Sequence, residues 1–426
     1  MKYNLCLFLI NLNIFNSYIK LPFKTFKVDN INNLYYNYLY INLDVGVPKQ
    51  NSTKLLLTQG KHSFYIYDSK TYSNVSYNPR YSSRYRTILD YSFELTASDC
   101  LEGVFSMDTF FIQNQRLDNF TFVLCTKSKN SIYRLFDGEI GLNLEYGSAP
   151  SSNFIQVLKV KEMINNYIYS INYINDEEGF LLIGEYPHMI NFKNFFYQKT
   201  SEFNEENLKW IHSEIGKHNY HWTILFDKIS YGDAGFFQAQ REARIVIDTK
   251  YIISSTQYYI LFKEIFGQKC SVIVLGEDLQ GLKCSKDINI ELTPEIKFFN
   301  KELNTTFVLD YNDLFIEKDD YFYFLVINYI EYEPNYWILG KPFLKKYLLL
   351  YNYDNKMIGF YNNERKNKNN RKNLLSSYGL SIFFNIFFAI IVIVLLFMFF
   401  RYYFKNRRIR ANELEDKFNY KAKNDK

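Results

Sequence analysis

Two short stretches carry what chemistry this chain of 426 residues could do. In "VIDTKYI", Val246 to Ile252, an apolar run ends at Asp248, whose carboxylate could hold a water and take its proton. The stretch "LLLTQGKHSFYI", Leu55 to Ile66, has the shape of two short buried strands pinching a turn together, yet it holds no acid. Its turn is built from Thr58, Gln59, Gly60, Lys61 and His62, and the hydroxyl of Thr58 does not titrate in a useful range. The nearest acid is Asp68 in "YDSK", beyond the strand that should carry the loop away.

Other chemistries find little support. There is no Ser/His/Asp order, phosphate loop or metal cluster to offer a rival site, and His62 reads as solvated. Four cysteines remain after Cys6 near the N-terminus: Cys100, Cys125, Cys270 and Cys284. Neither local pair has CxxC spacing, and His212, His218 and His221 lie far from both, so a zinc site is a poor fit. Two disulfides suit an even number in a secreted chain; three pairings are open, and Cys100 with Cys125 and Cys270 with Cys284 is the topologically cheapest. No metal and no cofactor are expected.

The elements that must position these loops are short. From Val28 to Tyr361 runs of four to eight residues rich in Ile, Tyr, Phe, Val and Leu recur between Gly, Asn, Asp and Ser, as in "LYINLDVGV", "FTFVLC", "WTILFDKISY" and "YFYFLVINYI". That pattern predicts an all-β fold of several sheets. Helices are expected at "PSSNFIQVLKVKEMI", capped by Ser151 or Ser152 with Phe154, Val157, Leu158 and Val160 on one face, and at "QYYILFKEIFG". A faint internal echo links Leu39–Gly60 to His221–Lys250, each followed by an apolar-glycine turn, "DGEIGLN" or "YWILGKPF". Similar halves suggest two lobes around a cleft.

The two ends have a different character. Residues 1–17 read as a signal peptide, with Lys2 before an apolar segment from Leu5 to Phe15. The uncharged run from Leu374 to Phe400 is long enough to cross a bilayer, and we place a transmembrane helix at 377–400. A basic juxtamembrane linker, 364–376, precedes it, and a cytosolic tail, 401–426, follows with Arg401, Lys405, Arg407, Arg408 and Arg410. The expectation is a single-pass type I membrane protein with its ectodomain in the secretory lumen or outside the cell. The net charge of +5 comes mostly from the flanks of that helix and says nothing for nucleic acid. Sequons at Asn51, Asn74, Asn119 and Asn304 would mark glycosylated surface loops.

With those residues in view, the ectodomain resembles the pepsin-like aspartic peptidase family over roughly Tyr36 to Tyr361. "YINLDVGVPKQNSTKLLL" is similar to the family's opening strand and G-x-P-x-Q turn, "YNPRYSSRYR" to F-x-P-x-x-S-S-T-Y, and "GVFSMDTF" to the strand after the flap. "DGEIGLN", "EEGFLLIGE" and "YWILGKPFLKKYLLLYNYDNKMIGF" resemble the family's D-G-I-L-G-L turn, inter-lobe strand and closing block. The resemblance implies a bilobal pepsin-like aspartic protease fold, with an N-terminal lobe at 18–185, a C-terminal lobe at 186–363 and an inter-lobe cleft that takes extended peptide or protein. It also places Cys270 and Cys284 where the family has its C-terminal-lobe disulfide.

In that family two aspartates, one per lobe on D-[TS]-G loops, share a proton and poise a water. Aligned so, the first aspartate is Thr58, the second is a remnant, Asp248, followed by Thr249, and the second loop's glycine is Lys250. The flap tyrosine falls on Thr96. These departures imply a scaffold that keeps its groove while losing the dyad chemistry, with Lys250 pushing the two loops apart. The alternative is an active but divergent endopeptidase using Asp248 with another acid; a purely structural surface glycoprotein is a third reading.

Overall fold

The computed structural model describes residues 18–26, 37–59, 63–72, 74–88, 93–94, 100–128, 135–143, 153–190, 205–213, 221–232, 234–237, 240–275, 279–329, 336–361 and 401. Residues 1–362 form one compact unit, and 363–426 form a second, of which Arg401 alone is described. The runs read as strands from sequence are strands, among them Leu39–Val45, Gln115–Ser128, Thr223–Phe226 and Tyr321–Tyr329. They alternate apolar residues toward the core, as in Leu39, Ile41 and Leu43, because successive side chains of a strand point to opposite faces.

The internal echo is a repeated pairing scheme. In the first half, Gln50–Thr58 runs parallel to Gly138–Gly141, which is antiparallel to Phe64–Tyr67, which is parallel to Gln115–Ser128. In the second half, Arg241–Ile245 runs parallel to Tyr336–Leu339, which is antiparallel to Ile252–Ile253, which is parallel to Tyr321–Tyr329. Each half thus threads the chain out along one strand, around a loop and back on the far side of a crossing strand. The loops so produced hold Thr58 and Asp248. A side chain on the crossing segments would block this: a Cβ on Gly138 would lie 2.2 Å from the Tyr65 carbonyl oxygen, and one on Gly340 would lie 2.3 Å from that of Tyr251.

Rings anchor the returning strand of the first half and the crossing strand of the second. Phe64 packs edge-on against Phe110 and Phe154 at 5.6 and 5.4 Å, and Trp337 does so against Tyr258 and Phe298 at 4.7 and 5.3 Å. Pairs of this kind contribute about 0.5–1.5 kcal/mol each beyond area burial. The largest sheet among the described residues joins the halves. Its path runs from Leu208–His212 through Met357–Tyr361 and Leu349–Asn352 to Ile168–Tyr173 and Glu178–Ile183, and so to the strands of the first loop.

Three family-like motifs distant in sequence converge in the first half. Gln50 donates to the Asn78 carbonyl and accepts from its amide, Ser82 Oγ accepts from Val47 N, and Asp108 accepts from both Ser82 and Tyr77 at 2.7 Å. The disulfides are Cys100–Cys125 and Cys270–Cys284.

Several expectations need correction. The helix Phe154–Val160 is capped by Asn153, whose side chain accepts from the amides of Ile155 and Gln156, and Ser151 and Ser152 lie outside the described residues. Phe154, Val157 and Leu158 are buried, but Val160 is 75 % exposed because the helix ends there and turns away from the core. Asn74 and Asn304 are exposed in turns, whereas Asn51 and Asn119 belong to strands rather than loops. Among the described residues no helix is long and apolar enough to cross a membrane; the leader 1–17 and the run 377–400 fall outside them.

Candidate active site

The site begins where each half's first strand ends. Gln50–Thr58 delivers Thr58 into the molecule's interior, where it is 2 % exposed. Asp248 lies half-buried in a turn three residues past the end of Arg241–Ile245. The two meet: Thr58 Oγ1 donates to Asp248 Oδ2 at 2.5 Å, and the Gln59 amide donates to Oδ1 at 2.9 Å. One oxygen of the carboxylate therefore takes a hydroxyl and the other a backbone N–H from the opposite loop.

This geometry overturns one expectation. Lys250 does not push the loops apart. It is half-buried and is not among the described residues with positive φ, so its turn is one that a side chain tolerates without strain. Burial, and then the like charge of Lys318, hold its ammonium below the ordinary lysine range. Thr249 Oγ1 accepts from Tyr251 N within its own loop, and the Thr249 carbonyl accepts from Lys341 N at 2.9 Å, which ties the loop to the turn after Tyr336–Leu339. Symmetrically, Leu142 N donates to the Thr58 carbonyl at 2.8 Å.

Gln59 is fully buried and turns away from Asp248. Its Nε2 donates to Tyr169 OH at 2.9 Å, and Tyr169 in turn donates to the Leu142 carbonyl at 2.7 Å. Trp222 Nε1 and Tyr353 OH converge on that same carbonyl at 3.2 and 2.9 Å. Tyr169 stacks on Tyr351 at 4.6 Å, and burial pushes its phenol far above the ordinary tyrosine value, so it acts as a fixed neutral donor. The first loop is therefore held from beneath by an aromatic layer drawn from both halves.

Sequence reasoning missed two members of this arrangement. Asn37, just before Leu39–Val45, reaches the second loop: its amide donates to the Asp248 carbonyl at 2.7 Å and its Nδ2 to the Ile247 carbonyl at 2.8 Å. His221, just before Thr223–Phe226, reaches the first. Its Nδ1 lies 3.0 Å from Asn143 Nδ2. Burial, then the Arg244 charge, lower the His221 pKa against a smaller upward pull from Asp248. The signal that would have found both is the echo itself, since each residue stands just ahead of its half's opening strand.

Other predicted positions are set elsewhere. Asp68 accepts from Lys70 N in the turn after Phe64–Tyr67 and is not bonded to Asp248; Asp137 is taken by Lys54 N and Ser76, and Asp108 by Tyr77 and Ser82. Gly60, Lys61, His62 and the flap position Thr96 lie outside the described residues. Among the described residues no group of three or more His, Cys, Asp or Glu comes together as a metal site would require. Two surface cavities, of about 510 Å³ beside Lys24, Tyr40 and Asp176 and about 380 Å³ beside His212, Asp227 and Lys301, include neither Thr58 nor Asp248.

A carboxylate bonded to a threonine can hold and orient a water, but one titrating group cannot take a proton from the nucleophile and give another to the substrate in the same step. No curated protein matches the chain. The family model for eukaryotic aspartyl protease matches residues 37–363, which spans both halves, both loops and the crossing strands. The chain belongs to the eukaryotic aspartyl protease family.

Proposed function

We propose that this protein is a membrane-anchored member of the family that has given up peptide hydrolysis and uses the inter-lobe groove to bind extended peptide or protein. The observation that carries the reading is the Thr58 Oγ1 to Asp248 Oδ2 hydrogen bond, which fills with a hydroxyl the position where the family's chemistry needs an acid. Loss of one member of a jointly acting catalytic unit typically lowers the rate by about 10⁴ or more. Anchoring is supported by the uncharged run 377–400 with its basic flanks, and entry into the secretory pathway by the apolar N-terminal segment and the paired cysteines.

The test is acid proteolysis of a denatured protein by the purified chain, with and without a statine-type inhibitor. The reading expects no inhibitor-sensitive cleavage. Inhibitor-sensitive cleavage that disappears in Asp248→Asn would show instead an active endopeptidase.

A further inference from the structure

The stretch "PRYSSRYR", Pro79 to Arg86, carries three arginines and two tyrosines and takes no part in the Thr58–Asp248 arrangement. Its side chains divide by what they face. Pro79 and Ser82 are buried, and Tyr85 is half-buried with its OH 3.1 Å from Ser106 Oγ. Arg80, Tyr81, Arg84 and Arg86 are exposed, Tyr81 to 71 %.

The backbone that presents them is fixed. Asn78 accepts from Arg80 N at 3.0 Å and is itself held by Gln50. Ser83 donates through both its amide and its hydroxyl to the Val47 carbonyl, at 2.8 and 3.0 Å, and Arg86–Thr87 pairs with Ser106 and Met107. Six residues of chain reach at most about 20 Å, so the Cα atoms of the three arginines fall within that span.

None of the three guanidinium groups forms an ion pair with a described carboxylate, because the acids of the neighbouring strands serve other partners. Asp44 meets Lys49 at 3.2 Å, Asp118 meets Arg116 at 3.0 Å, and Glu102 meets Lys127 at 2.6 Å. Asp108 is buried and accepts from Tyr77 and Ser82.

Three like charges this close repel one another, and a partner with closely spaced anions offsets that. A guanidinium is a planar fork that pairs bidentately with an oxyanion, and an exposed tyrosine among such forks offers a flat face to a sugar ring. We propose that Arg80, Tyr81, Arg84 and Arg86 form a docking surface for a sulfated polysaccharide. A bilayer would be met by a broad basic face, whereas these residues occupy one short stretch with a ring among them. The surface is independent of the groove-binding reading.

The test uses the full-length protein in detergent and a fluorescein-labelled heparin oligosaccharide, read by anisotropy over a range of salt. The basic flanks of 377–400 are a second place for a polyanion, so the variants decide. Arg80→Gln/Arg84→Gln/Arg86→Gln should weaken binding at least about tenfold and flatten its salt dependence, since three exposed charge pairs are lost. It should keep the wild-type melting temperature, because these side chains have no described ion-pair partner. Tyr81→Ala should weaken binding several-fold with the salt dependence unchanged, and de-sulfated heparin should not compete. In the wild type, bound heparin should protect these arginines from phenylglyoxal, read by peptide mapping.

Unchanged affinity in the triple variant, equal competition by de-sulfated heparin, or arginine modification that heparin does not slow overturns the proposal. So does displacement of the labelled heparin by phosphatidylserine vesicles at a lower concentration of negative charge than by unlabelled heparin, which would assign the patch to an anionic bilayer.

Discussion

Asp248 accepts one hydrogen bond on each carboxylate oxygen from the opposite half of the molecule, from the Thr58 hydroxyl at 2.5 Å and the Gln59 amide at 2.9 Å. The two loops are thus joined through a neutral hydroxyl and a backbone amide. Because the contact is short and uses both oxygens, Asp248 has become part of what joins the halves.

The first loop should depend on its aromatic support. Tyr169→Phe removes the acceptor for Gln59 Nε2 and a donor to the Leu142 carbonyl, all in a fully buried setting. Leaving buried polar groups unpaired costs about 1–3 kcal/mol. Equilibrium denaturation of Tyr169→Phe should show a loss in this range, and Gln59→Leu should lose less, because Gln59 Oε1 already lacks a hydrogen-bond partner.

Lys341 should leave a mark in the alkaline range. Its side chain is 11 % exposed, donates to the Asp176 carbonyl, and is lowered by desolvation to a pKa of about 8 from 10.5. The unfolded chain then binds more protons than the folded one between these values, so stability rises with pH across that window. Relative to Lys341→Met, the wild type should gain as pH goes from 7 to 10.5, by at most about 3 kcal/mol. A difference that stays flat across the window would count against the assigned burial of this charge.

His221 should act on the acid side. Burial depresses its folded pKa, so the folded state resists protonation and stability falls as pH drops below the unfolded value of about 6.5. His221→Gln should retain a hydrogen-bonding group facing Asn143 and flatten this part of the acid denaturation profile. Identical profiles for variant and wild type between pH 7 and pH 5 would show that His221 does not titrate on unfolding.

How much of this was readable beforehand follows from the range of the interactions. Strand alternation and the helix at Thr256–Phe266, closed by Gly267 at φ 55°, are local and were legible. So were the loop positions of Thr58 and Asp248, because the family-like motifs around them fix the register. The crossing contacts were not. Asn37 reaching Asp248 and His221 reaching Asn143 join residues 211 and 78 positions apart, and the internal echo marks only where each residue stands, not the partner it reaches. The effect of Lys250 was misjudged for a related reason: the lost glycine was weighed alone, whereas the backbone around it, which is not in the positive-φ region, accommodates a side chain.

The central claim is that the chemistry failed for want of one acid on an intact scaffold. It is tested most directly by comparing wild type with Thr58→Asp/Lys250→Gly in cleavage of a denatured protein at acid pH. The account predicts no inhibitor-sensitive cleavage by the wild type and measurable, statine-inhibited cleavage by the double variant, as two carboxylates sharing a proton replace the present hydroxyl-carboxylate pair. Wild-type cleavage that a statine-type inhibitor blocks and Asp248→Asn abolishes would contradict it.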